Sequence, residues 1–409
     1  MAALTSRLWS CFMPPKVEKS PDAIKFGIFG AAQIAPLTLI IPAKSHPEVV
    51  VQAIAARDRS KAEAFAKKHG IPEVKNSYDE LLSDPNIDAV LIPLPNALHF
   101  EWAVKAIRAG KHVLVEKPST SNAEEADILF NLPELSQPNA PVLLEAFHNR
   151  FFPSWHLFTS LFDPADVDHV HSESMIPWWG TKETDINFQY NLSGGSIMAM
   201  GTYNLAALRL AFGAEPVECL SCETEAFTEG PQKGCDWNFK AKFRFPGDRI
   251  GEATTTLKGP TWWTPSTVTV TTREKPVADS KLPNTHEKTQ SRHIVLHGLI
   301  HGVFWHRIDV TDVYTVRDRE SGRVISKNQQ KTSHKAYTFK EAGGQFANLP
   351  GDTHWMSYRY QLEEFVNKIK GRKTQYWVSG EDSINQMKMI DMAYEKSGLG
   401  PRPTSKAAL

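Results

Sequence analysis

Residues 25–37 read KFGIFGAAQIAPL. Phe26, Ile28 and Phe29 make a short apolar run that stops at Gly30, and Ala31, Ala32, Gln33, Ile34 and Ala35 follow. This is a Gly-x-Ala-x-x-Ala form of the strand–turn–helix fingerprint that cradles a dinucleotide. The first position needs glycine for a sharp turn. The second must be small so that backbone can approach a pyrophosphate, and the third must be small for helix–strand packing. Gly30, Ala32 and Ala35 meet these demands, alanine fitting the second less well than glycine. A helix that starts here aims unpaired N–H groups at the phosphates. A small-residue turn between any buried strand and helix looks similar, so the neighbouring segments decide.

Outward from the fingerprint, Val49–Ala55 (VVVQAIA) reads as a second strand and delivers Ala56, Arg57 and Asp58 where an adenosine ribose is read. An acidic residue there binds a free 2′-hydroxyl, whereas an arginine accommodates a 2′-phosphate. Arg57 favours NADP, Asp58 keeps NAD open, and a solvated Arg57 at the start of the next helix is the bland alternative. Residues 60–69 form an amphipathic helix between Ser60 and Gly70. A short strand near Val74, a helix from Ser77 and the apolar strand 88–93 (DAVLIP) come next. Ligands bind beyond the carboxyl ends of parallel strands, so the loop Leu94, Pro95, Asn96, with His99 behind it, lines the cofactor crevice. Helix 97–109 and strand 112–115 (HVLV) then deliver Glu116, Lys117 and Pro118. Strands and helices alternating at this rhythm predict a doubly wound parallel sheet, an α/β fold.

The chain has 409 residues, enough for two or three domains, and 46 basic residues balance 46 acidic ones. Such a balance sets up no net field for nucleic acid or an anionic membrane. Apolar residues make up 41% of the chain without a run of membrane-spanning length. Residues 1–22 read as a disordered leader, a weak targeting tail being the alternative. Cys11, Cys219, Cys222 and Cys235 are few enough to suggest a reducing compartment, hence the cytoplasm. Cys219 and Cys222 lie three apart in a strand-like stretch, which would face them opposite ways as ordinary thiols.

The segments GAAQIA, AARD, SYDELLSDPNIDAV, LPNALH and AGKHVLVEKP, in this order and spacing, resemble the Gfo/Idh/MocA oxidoreductase family, nearest its dimeric dihydrodiol dehydrogenase and NADP-dependent D-xylose 1-dehydrogenase branch. The resemblance implies a Rossmann domain at 23–145 and a substrate-binding and oligomerisation domain at 146–400. The second would be α+β, built on a large, open, mostly antiparallel sheet through which a homodimer forms. Strand-like runs from about Val167 fit that expectation: HVHSESMI, NFKAKFRF, RIGEATTTL, STVTVTT, HIVLHGLI and RIDVTDVYTV. Residues 273–292 are polar and aperiodic and read as an exposed hairpin extension. Tyr358–Ile369 returns to helical spacing and in the family packs toward the first domain.

The resemblance also implies the site residues. Gly30, Ala31, Ala32, Ile34, Arg57, Pro95, Asn96, His99, Glu116 and Lys117 would bind NADP, with NAD as the alternative. Lys117 and Tyr203 would be catalytic, Tyr203 through the Gly-x-Tyr of Gly201, Thr202 and Tyr203 as the acid/base. A phenol titrates near pH 10 unless helped, and the sequence reading expects Lys117 to favour its phenolate; a core tyrosine is the alternative. The family's usual aspartate four residues earlier is replaced by Ala199, for which Asp185 or His148 could substitute. Arg150, Trp179 and Asp185 are the candidate substrate contacts, Arg150 equally plausible in an ion pair, and Trp178 and Trp179 as core. His293, His297 and His301 recur every fourth residue, but on a strand such a row is too long for one ion, so no metal is expected. The implied activity is NADP-dependent hydride transfer at a carbinol carbon of a small sugar or diol. The alternatives are a dehydrogenase or reductase of a specialised metabolite and a non-catalytic dinucleotide-binding regulator.

Overall fold

The computed structural model describes residues 2–405. Its first sheet contains β1 (Ile24–Phe29), β2 (Val49–Ala55), β3 (Glu73–Lys75), β4 (Ala89–Ile92), β5 (His112–Glu116) and β6 (Leu143–Ala146). All pairs are parallel, in the order β3-β2-β1-β4-β5-β6. Strand order reverses between β1 and β4, which opens a crevice at their carboxyl ends. β4 is buried along its whole length, as a strand covered by helices on both faces must be.

The second sheet holds β7 (Val167–Pro177), β8 (Glu218–Ala226), β9 (Asp236–Phe245), β10 (Arg249–Gly259), β11 (Thr267–Thr272), β12 (Lys275–Pro276), β13 (His286–His297), β14 (Arg307–Asp318) and β15 (Val324–His334). Their order is β15-β14-β13-β11-β7-β10-β9-β8, with β12 paired to β13; only β7 and β10 are parallel. Alternate residues of β10 are buried against the helix Thr202–Phe212, all of whose residues except Leu210 are buried. Asn204 pins that helix to the sheet, donating to Ser174 Oγ (3.0 Å), Thr255 Oγ1 (2.7 Å) and the Thr254 carbonyl (2.9 Å).

Helix Ser357–Ile369 lies against the segment after the fingerprint, and Phe365 meets Phe26 of β1 with ring centroids 6.0 Å apart. Both rings are fully buried, each contributing about 1.5–3 kcal/mol to holding the two halves together. Helix Gly380–Ser397 packs on helix Ala123–Phe130 of the first half. Beyond it, Arg402 is buried against Asp236, and its carbonyl accepts from Asn122 Nδ2 at 2.9 Å.

Two readings need correction. The leader is not featureless: helix Ala2–Phe12 packs on the second half, where Arg7 donates to the Val303 carbonyl, lies 3.8 Å from the Tyr337 ring centre, and Phe12 stacks on Phe304. Apolar and cationic contacts with residues some three hundred positions away order it. Cys219 and Cys222 face the same way because a bulge between Cys219 and Ser221 changes the strand's parity; they pair with Phe243 and Ala241, both buried. Their thiols remain ordinary, burial pushing them up to about 11 and about 12. The polar stretch 273–292 is the exposed hairpin extension expected of it: beyond the β11–β13 pairing, β12 pairs back on β13, whose first half also pairs with β14. β15 is an exposed edge strand whose polar sequence carries no alternation to read.

Candidate active site

β1 ends at Gly30, whose φ of +83° is left-handed; a Cβ there would also lie 3.1 Å from Leu94 Cδ2. Among the described residues, the N–H groups of Ala31, Ala32, Gln33 and Ile34 donate to no protein acceptor. The helix begins with Pro36, which has no N–H to satisfy. This is a backbone cradle of the kind a pyrophosphate fills. At the end of β2, Asp58 turns inward on its own helix, accepting from Lys61 N (3.2 Å) and Ser60 Oγ (2.7 Å). Arg57 is exposed, and among the described residues its guanidinium makes no hydrogen bond or ion pair.

Loops after β4 and β5 close the crevice. Asn96 Nδ2 donates to the Ser193 carbonyl at 2.9 Å, tying the first of them to the second half. His99 is buried beneath, Nε2 at 2.7 Å from the Leu94 carbonyl and Nδ1 at 2.8 Å from that of Pro118. Burial pulls it down to about 4, so the neutral ring braces both loops from below, with Pro95 half-exposed above it. Glu116, the last residue of β5, is buried, its Oε1 has no hydrogen-bond partner, and burial pushes its carboxyl up to about 7. An unpartnered buried oxygen at the carboxyl end of β5 suits a hydroxyl-bearing ligand such as a ribose.

Lys117 and Tyr203 lie against each other. The lysine Nζ lies 4.7 Å from the centre of the Tyr203 ring and donates to the Ala199 carbonyl at 2.7 Å. Position 199 thus meets the lysine through backbone rather than a carboxylate. Tyr203 reaches it from the first turn of helix Thr202–Phe212. The preceding Gly201 is required because a Cβ there would lie 2.3 Å from Phe239 Cε1 of β9. Burial holds the Tyr203 phenol well above its ordinary value, and the neighbouring Tyr358, Glu116 and Glu145 act in the same direction. The expectation that Lys117 favours a phenolate is therefore not met: the ammonium sits over the ring, and the phenol keeps its proton. Burial lowers the lysine, opposed by Glu116 and Glu145.

His148 is the phenol's hydrogen-bond partner, Nε2 at 3.1 Å from Tyr203 Oη. Its Nδ1 lies 2.9 Å from Ser357 Oγ, and its ring lies 4.0 Å from that of Tyr358. Ser357 and Tyr358 come from a helix more than two hundred residues downstream, whose helical spacing is legible from Tyr358 on, but nothing in the sequence directs either side chain to His148.

The candidate substrate contacts lie elsewhere. Arg150 is buried, donating to Tyr376 Oη at 2.6 Å and to Asp382, which also receives Arg209 at 2.8 Å. That is the ion-pair alternative. Trp179 is exposed and donates to the Thr261 carbonyl at 2.7 Å; it lines, with Trp178, Phe188 and Lys258, a surface hollow of about 450 Å³. Neither tryptophan is core. Asp185 caps a turn, accepting from Asn187 N at 3.0 Å and Nδ2 at 2.8 Å. Of the two proposed substitutes for the missing aspartate, His148 and not Asp185 touches Tyr203. His293 and His297 lie on β13 and His301 in the loop beyond it, and among the described residues no three His, Cys, Asp or Glu side chains are grouped to hold a metal ion.

Residues 24–137 match the model of the oxidoreductase family GFO_IDH_MocA, NAD-binding Rossmann fold. Over residues 24–137 the chain is thus similar to the Gfo/Idh/MocA oxidoreductases. It is 38% identical, over 46% of its length and 57% of the relative's, to D-xylose 1-dehydrogenase (NADP(+)) 2 of Haloferax volcanii. It is 28% identical, over 58% of its length and 69% of the relative's, to trans-1,2-dihydrobenzene-1,2-diol dehydrogenase of Mus musculus. The chain thus spans between about half and two thirds of the length of these curated relatives. A 3-ketoreductase from Actinomadura kijaniata, crystallised with NADP and TDP-benzene, has the same fold over 94% of this chain and all of that one, with a TM-score of 0.66 at 21% identity.

Proposed function

We propose that this protein is an NADP-dependent oxidoreductase that moves hydride between the nicotinamide and a carbinol carbon of a sugar or diol. The observation that carries this is the meeting of Lys117 and Tyr203, one from each half, at the carboxyl end of the parallel sheet. Ala31, Ala32 and Ile34 would hold the pyrophosphate through backbone, Arg57 the 2′-phosphate, and Glu116 and Lys117 the nicotinamide ribose. The bound dinucleotide would supply the hydride acceptor or donor; the protein supplies the proton path. Tyr203 exchanges a proton with the substrate oxygen, and the Lys117 ammonium steadies charge developing on that oxygen. Relatives named for D-xylose and for trans-dihydrobenzenediol support the oxidative direction. Relatives named as dTDP-sugar 3-reductases, with the phenol kept protonated as an acid needs, favour the reductive one.

The experiment is NADPH formation with D-xylose and trans-dihydrobenzenediol, and NADPH consumption with keto sugars. Tyr203→Phe is expected to lower turnover by about 100-fold or more while leaving NADP affinity nearly intact. Unchanged turnover would reject the role of Tyr203, and NADP binding without hydride transfer to any of these would favour a regulator. No helix among the described residues is long and apolar enough to cross a membrane. The four cysteines, all free, support a cytoplasmic setting. The open face of the second sheet, with His169, His171, Lys242 and Glu252 half-exposed, is the surface for a homodimer.

A further inference from the structure

We infer that His148 is the proton relay of this site: it takes the proton of Tyr203 as the phenol receives one from substrate, and returns it in the reverse direction. The inference rests on the reading of Tyr203 as the acid/base and adds the group that phenol must work through. A buried phenol that keeps its own proton cannot accept a second one unless it passes the first on. Lys117 cannot receive it, because an ammonium has no lone pair and its Nζ is committed to the Ala199 carbonyl. His148 Nε2, at 3.1 Å, is the nitrogen in hydrogen-bond reach of Tyr203 Oη.

The other side of the imidazole is compatible with the tautomer a relay needs. Nδ1 faces Ser357 Oγ at 2.9 Å, and a hydroxyl can accept from Nδ1–H. The Nε2 lone pair then faces the phenolic O–H. Burial, followed by the charges of His301 and Lys117, holds the ring well below its ordinary value, so it waits neutral. Around the pair, Glu116, Glu145, Lys117, His301 and Tyr358 are the titratable groups in electrostatic reach. The two carboxyls can oppose the imidazolium's lowering once they ionise.

In oxidation the carbinol C–H bond breaks, its hydride passing to the oxidised dinucleotide. The substrate O–H proton goes to Tyr203 oxygen, the Tyr203 proton goes to His148 Nε2, and the product is a carbonyl compound. Once product has left, Tyr203 gives the proton it received to entering water and takes its own back from His148 Nε2, which restores the Nδ1–H tautomer and accounts for the proton produced with each reduced dinucleotide. In reduction every transfer runs backwards.

The test combines ¹⁵N-histidine NMR of the full chain, with and without NADP, and kinetics. His148 is assigned by the loss of its signal in His148→Gln. The expected result is a neutral Nδ1–H tautomer at pH 7 whose Nε2 signal moves in Tyr203→Phe. His148→Gln should lower turnover by about 100-fold or more and change the pH profile, NADP affinity should move by less than about threefold, and imidazole should restore part of the activity of His148→Gly. An Nε2–H tautomer or an imidazolium at pH 7 overturns the relay. So does unchanged turnover in His148→Gln where Tyr203→Phe is inactive, which leaves the proposed function standing. Full turnover in Tyr203→Phe instead removes that function and the relay together.

Discussion

Replacing Arg57 by alanine tests the cofactor assignment with little risk to the fold. The side chain is exposed, and no hydrogen bond or ion pair among the described residues depends on it. Its loss should therefore leave stability within about 0.5 kcal/mol. A charge-assisted hydrogen bond from guanidinium to phosphate contributes about 1.5–3 kcal/mol, and exposure to water and salt puts this one in the lower half of that range. About 1.5–2 kcal/mol corresponds to a 10- to 30-fold weaker NADP Kd. NAD, which lacks the phosphate, should bind almost as before. Isothermal titration of both cofactors at low and high salt measures the difference, and the NADP preference should shrink as salt rises. Asp58→Ala is the control: it removes a helix cap that contributes about 1 kcal/mol to stability and should leave cofactor preference alone. Equal losses for NADP and NAD in Arg57→Ala, or a switch of preference in Asp58→Ala, would show that the 2′-phosphate is read elsewhere.

Arg402→Met leaves Asp236 buried with only Tyr394, Ser196 and the Ile197 amide as partners, and should cost about 3–5 kcal/mol in urea unfolding; adding Asp236→Asn should recover part of it, and no recovery would contradict the pairing. Gly201→Ala drives a methyl into Phe239 and should lower stability by about 1–3 kcal/mol and turnover with it, and Phe239→Leu in the same chain should restore both if the collision is the cause. Stability against pH follows from two opposed sets of buried groups. His46 is pulled down to about 2, and His99, His156 and His306 to about 4, so stability is lost as pH falls below about 6.5, where unfolded histidines take up protons. Glu116, Glu145, Glu364 and Asp391 are pushed up to about 7, so the native state gains stability as pH falls from there toward about 4.5. The slopes, about 1.4 kcal/mol per pH unit for each group, oppose each other between pH 4.5 and 6.5, and His148, also held well below its ordinary value, tips the balance toward a loss of stability as pH falls. Scanning calorimetry should find a shallow fall of the unfolding midpoint across that window and a steeper one below it, as Asp382, held low by Arg150 and Arg209, begins to protonate. A steep decline starting at pH 6.5 would mean that the buried carboxyls are ionised in the native protein.

Local periodicity and turn chemistry were enough to read the parallel sheet. KFGIFG, DAVLIP and HVLVEKP each carry strand, stop and small-residue turn within a few positions, and such patterns need no distant partner. The same holds for the alternating β7, β9, β10, β11 and β14. Helix Ala2–Phe12 and the edge strand β15 escaped because what orders them lies outside their own sequence: Val303, Phe304 and Tyr337 for the helix, the β14 backbone for the strand.

By itself, then, the sequence determined the doubly wound first half and the strand-rich second half, and its family resemblance singled out Lys117 and Tyr203 as candidates for hydride chemistry. Only the tertiary structure decided what surrounds them. It set Lys117 over the phenol ring rather than at its oxygen, put His148 at that oxygen with Ser357 behind it, and turned Arg150 toward Asp382. The physical reason is that protonation and partner choice follow from burial and from side chains brought together across hundreds of residues, and no spacing along the chain records either.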